Sequence, residues 1–113
     1  MTAKAKGNQG SWFAEVEAPR HPEVDGKSLP CIWDYWVHGG TKYVDPGYAA
    51  GNSKAQKVVE ALRRDGFAVM RKRGKDEGKA WRSAGYIAVF EVANVEFDEA
   101  LTFDIVRRVC ELR

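Results

Sequence analysis

With two cysteines, two histidines and four prolines in 113 residues, the chain lacks the raw material for several kinds of protein. Two thiols, Cys31 and Cys110, do not make the disulfide framework of a small secreted domain. They read as reduced, buried, small apolar side chains, which makes the cytoplasm the default compartment. No apolar run approaches the ~18 residues of a transmembrane helix. The opening MTAKAKGNQG is polar and lacks a signal-peptide core, so no membrane association is expected. A glycine-rich phosphate loop, a Walker sequence and a dinucleotide fingerprint are all missing, so no cofactor is expected.

Catalytic groups are equally sparse. His21 lies in a proline-rich loop. His38 sits four residues after Asp34, a spacing that places both on one face of a strand, but no nucleophile motif accompanies the pair. Glu15 and Glu17 share a strand face and read as a solvated surface, not a metal site. Cys31, His38 and Cys110 lack the spacing of zinc ligands. The expectation is a protein that is not an enzyme and holds no metal; the enzymatic alternative is a metal-dependent nuclease using Glu15, Glu17 or the Asp34–His38 pair.

The size suits one domain with a core large enough to fold without staples. Residues 1–10 read as a disordered leader, and 11–113 as a single α+β domain. Trp12–Ala18 alternates as a half-buried strand, with Trp12, Ala14, Val16 and Ala18 on one face. PRHPEVDGKSLP follows as a loop. The β-branched and aromatic run CIWDYWV predicts a second strand over Cys31–Val37, apolar on both faces. Gly39–Gly51 reads as a loop because of its Gly-Gly and Asp-Pro-Gly turns.

The first helix follows from several agreeing signals. Ser53 and Gln56 fit a capping box, and Ala55, Val58, Val59 and Leu62 form one apolar stripe. Arg63 and Arg64 suit the negative end of the helix dipole, and Gly66 suits the left-handed position just past it. Two further strands are expected over Phe67–Arg73 and Ala84–Val92, the latter extending towards Phe97, joined by a polar turn. Leu101, Ile105, Val109 and Leu112 predict a closing helix over Thr102–Leu112. The order β-β-α-β-β-α implies a small antiparallel sheet of about four strands with two helices packed on one face.

What the chain does have is a concentration of positive charge. Residues 63–82, RRDGFAVMRKRGKDEGKAWR, hold eight Lys or Arg against three acids, a local charge of +5; the other 93 residues carry −3. A basic patch on a hairpin is the footprint of an anionic partner. Arg71 and Arg73 fall on one side of a strand, about 7 Å apart, and Lys75, Lys79 and Arg82 extend the charge across the turn. These five suit phosphate contacts, while Trp81 lies among them as a ring on which an unpaired base stacks.

Aromatics are the second surplus. Trp33 and Trp36 point to opposite faces of their strand, and with Tyr43 and Tyr48 they are candidate anchors for a partner protein. The favoured expectation is a non-enzymatic module that binds DNA or RNA through the basic hairpin. The alternative is a small inhibitor or adaptor of mobile-element type that docks on an acidic or nucleic-acid-binding protein. An open sheet edge would also allow a homodimer.

The order over residues 53–113, helix, Gly-Phe, basic strand, turn, apolar strand, helix, resembles the double-stranded-RNA-binding-like fold of small mRNA-interferase toxins. Those proteins carry a catalytic His on the sheet. No histidine occurs between Ser53 and Arg113, so the resemblance implies a fold and not that activity.

Overall fold

A computed structural model of the chain describes residues 3–7, 12–46, 53–74 and 82–113. Among them are eight strands and one α-helix: β1 (Lys4–Lys6), β2 (Phe13–Glu17), β3 (Ser28–Trp33), β4 (Val37–His38), β5 (Lys42–Asp45), α1 (Ser53–Asp65), β6 (Phe67–Gly74), β7 (Arg82–Phe97) and β8 (Leu101–Glu111). They form one sheet in the order β1-β2-β3-β6-β7-β8-β5-β4. The β3–β6 pair is parallel and the others are antiparallel. The fold is thus a mostly-sheet, curled half-barrel with one helix, not a four-stranded α+β sheet with two helices.

Curling divides the interior in two. On one side α1 packs its Ala55, Val58, Val59 and Leu62 against Ile32, Ala68, Met70, Val92, Leu101 and Phe103. Inside the curl lies a second core of Ala14, Val16, Leu29, Cys31, Val69, Val89, Cys110 and Leu112. Successive side chains on a strand face opposite ways, so β3 and β6 feed both cores in alternation. Cys31, Val69, Val89 and Cys110 form one row across four strands of this inner face. Two residues past β8 the chain reaches back towards β1, with the Arg113 N–H donating to the Ala3 carbonyl at 3.2 Å. Just past β1, a Cβ at Gly7 would lie 3.2 Å from both the Phe13 carbonyl oxygen and the Tyr86 hydroxyl, so a larger residue there requires a neighbour to shift.

The helix and the two strands after it fall where the sequence places them. Gly66 ends α1 at φ 73°, with its N–H donating to the Leu62 carbonyl at 2.9 Å, the left-handed termination that glycine permits. Its own carbonyl accepts from the Val92 N–H at 2.8 Å, tying the helix end to β7.

The second expected helix is instead β8. Two register shifts, between Val89 and Phe90 and between Glu91 and Val92 on the facing strand, leave β8 with extra residues at Val106 and Val109. Such bulges move the alternation from one face to the other. Leu101, Phe103 and Ile105 therefore face the helix-side core, whereas Val109, Cys110 and Leu112 face the inner one. Apolar residues serving two cores imitate the three-and-four spacing of a helix. With β8 a strand, the toxin-like element order does not hold.

Three smaller corrections concern the first half of the chain. The leader expected to be disordered contributes β1, whose Lys4 and Lys6 lie opposite Glu17 and Glu15. The expected strand Cys31–Val37 stops at Trp33 and turns through a 3-10 segment, Asp34–Trp36. The expected 39–51 loop contains β5, which pairs with β8. The sheet ends in β1 and β4, of three and two residues; short edges, and in β1 the lysines Lys4 and Lys6, are common means of discouraging strand addition.

Candidate functional site

The break in the aromatic run builds the candidate site. Asp34 leaves the ladder because its carboxylate competes for backbone donors. Its Oδ1 accepts from the Arg73 N–H at 2.9 Å, 39 residues further along the chain. That bond clamps the 3-10 turn against the far end of β6. Two cation–aromatic contacts follow from the juxtaposition. The Arg71 guanidinium lies 4.4 Å from the centre of the Trp33 ring, and that of Arg73 lies 4.4 Å from the centre of the Tyr35 ring.

The two stacks differ in access, and this difference decides what each can do. Arg71 is 6% exposed. It sits inside the curl beside Trp33 in the parallel register and opposite Tyr86. Burial pushes the Cys31 thiol up to about 11, partly countered by the Arg71 guanidinium. Burial also raises Tyr86, with a further increase from Cys31 and a reduction from Arg71. Arg71 is therefore a packed interior cation, not a surface phosphate ligand. Tyr35, by contrast, is 50% exposed, and Trp36 meets it edge-on at 5.0 Å. Arg73 is half-buried and Lys72 exposed.

The basic segment is not one patch. Arg63 donates to the Val95 carbonyl at 3.2 Å, and Arg64 pairs with Asp65 at 3.1 Å, both at the end where β6 begins. Arg73 lies seven residues beyond Gly66, roughly 23 Å away along an extended strand. Of the described bases in the segment, Arg71, Lys72 and Arg73 belong to the far end of β6. Arg82 is placed opposite Gly74 in β7. Lys75, Lys79 and Trp81 lie outside the described residues, as does Tyr48.

The other expected anchors divide between core and surface. Tyr43 is fully buried and stacks on Phe103 at 4.6 Å. Its hydroxyl donates to buried Asp45 Oδ2 at 2.8 Å and accepts from the Trp33 N–H at 3.2 Å. It is a core residue and offers nothing to a partner. Trp33 is partly covered by Arg71, and Trp36 packs on the helix-side core. Among the described residues the exposed ring is Tyr35, which an unbroken strand would instead place in line with Trp33.

Asp34 is committed to the Arg73 backbone, and His38 lies in β4 opposite Lys42. Glu17 pairs with Lys6 at 3.1 Å on an exposed surface. Among the described residues no group of three or more His, Cys, Asp or Glu is arranged to hold a metal, and no helix is long and apolar enough to cross a membrane. No family model, curated protein or solved structure matches this chain.

Proposed function

We propose that the protein is a non-enzymatic binding module for single-stranded nucleic acid, using the Tyr35–Arg73 face at the end of β6. The observation that carries this reading is the half-exposed Tyr35 ring with the Arg73 guanidinium stacked on it at 4.4 Å. An accessible ring beside cations suits an unpaired base, whose face stacks on it while neighbouring charges meet the phosphates. A duplex hides its base faces and gains only the charge contacts. Exposed Lys72 supplies further positive charge next to Arg73. Arg71 supports the site from beneath by holding Trp33. Two free, buried thiols suit a reducing compartment, and a cytoplasmic location fits them.

The test compares wild-type protein with the Lys72→Glu/Arg73→Glu double variant and with Tyr35→Ala, using a labelled single strand. The double charge reversal is expected to weaken binding by more than about tenfold. Tyr35→Ala removes a stacking surface worth about 1–3 kcal/mol. Unchanged affinity in both variants would reject the site. Binding to an acidic protein surface is the competing use of the same charges; it predicts no affinity for any nucleic acid at low salt.

A further inference from the structure

A second site lies away from the Tyr35–Arg73 face and shares no residue with it. The turn after β2, the entry to β1 and the end of β8 enclose a cavity of about 230 Å³. At about 30 Å³ per water, that is room for roughly seven waters or a small organic molecule. Its floor is apolar: Ala18 is 1% exposed, Cys110 is 8% exposed, and Ala3 is half-buried beside them.

The rim is cationic. Arg20 and Arg113 are exposed, and His21 is half-buried. The Glu111 side chain on the lining is bonded to Arg108. Among the described residues neither Arg20 nor Arg113 has an acidic partner.

The backbone around the rim is fixed. The His21 N–H donates to the Ala18 carbonyl at 2.9 Å, and the His21 carbonyl accepts from Val24 and Asp25, both at 3.0 Å. The Ala18 N–H donates to Asp25 Oδ1 at 2.8 Å. On the other side Arg113 is tied to Ala3. The backbone of the rim is thus fixed by hydrogen bonds, so the ordering that binding requires falls on the exposed Arg20 and Arg113 side chains.

We infer that this cavity binds a small organic carboxylate, with its apolar body on the Ala3–Ala18–Cys110 floor and its charge against Arg20 and Arg113. A guanidinium presents paired donors that match a carboxylate, a geometry an ammonium lacks. The apolar floor favours an organic acid over an inorganic anion, since only the former gains from displacing water there.

The full chain, labelled with nitrogen-15, is titrated with benzoate, with the uncharged isostere benzamide, and with inorganic phosphate. Benzoate is expected to give saturable shifts centred on the His21 and Cys110 amides. Benzamide and phosphate should each bind at least about tenfold more weakly, and Arg20→Ala/Arg113→Ala should weaken benzoate at least about tenfold. Lys57→Ala, exposed on α1 and not on the cavity lining, serves as the control and should leave benzoate binding unchanged. Equal binding of benzamide, tighter binding of phosphate, indifference to the double substitution, or no saturable shift would each overturn the assignment.

Discussion

The guanidinium of Arg71 lies 4.4 Å from the centre of the Trp33 ring while remaining 6% exposed. A cation so deeply placed is costly unless its surroundings compensate, and the Trp33 ring face is one such compensation. Two residues further along, Arg73 makes the same contact with Tyr35 at the surface. One strand therefore carries a structural arginine and an accessible one, and the two should respond differently to substitution.

Arg71→Ala should destabilise the fold by about 2–3 kcal/mol, through loss of the desolvated stack and of the packing of its stem. Arg71→Lys should recover part of that, because an ammonium packs on the ring without a planar face. Arg73→Ala should cost less than about 1 kcal/mol, as expected for a partly solvated stack. Urea unfolding of the three variants checks the order. Equal costs at positions 71 and 73 would contradict the division of roles.

Tyr43→Phe keeps the stack on Phe103 but removes the hydroxyl that joins the Trp33 N–H to Asp45. The loss of a donor to a buried carboxylate should cost about 1–3 kcal/mol. Because Tyr43 lies in the core, nucleic-acid affinity should be unchanged under conditions where the variant is folded. Parallel denaturation and binding measurements separate the two effects.

Cys31 provides a pH signature. Its thiol is raised from an ordinary 9.0 to about 11. Between those values the native thiol stays neutral while the unfolded one ionises, so unfolding releases a proton. Stability from this group is fully present below about pH 9 and falls as pH rises towards 11, by roughly 2–3 kcal/mol in total. Burial raises Cys110 in the same direction. Cys31→Ala should flatten the alkaline decline relative to wild type; identical slopes in the two proteins would show that Cys31 is not the source.

The helix Ser53–Asp65 and the strands Phe67–Gly74 and Arg82–Phe97 were legible because each signal there is local. A single apolar stripe, a glycine at the helix end and two apolar strands need no knowledge of distant partners. β8 was not legible, since its alternation is reset by bulges whose positions depend on β7. β1 and β5 are short, and long-range pairing with β2 and β8 decides them. At the site, charge content pointed to the end of β6, but which arginine is buried depends on how β3 meets β6. The exposure of Tyr35 depends on the turn that Asp34 makes by capturing the Arg73 N–H. That bond spans 39 residues, and no spacing within CIWDYWV announces it.

The most direct test of the account is fluorescence-anisotropy binding of the wild-type protein to labelled single-stranded and duplex DNA and RNA of equal length, each at low and physiological salt. The account predicts tighter binding to single strands than to duplexes, with affinity falling as salt rises because phosphate contacts release counterions. Absence of binding to all four at low salt, or tighter binding to the duplexes, would contradict it.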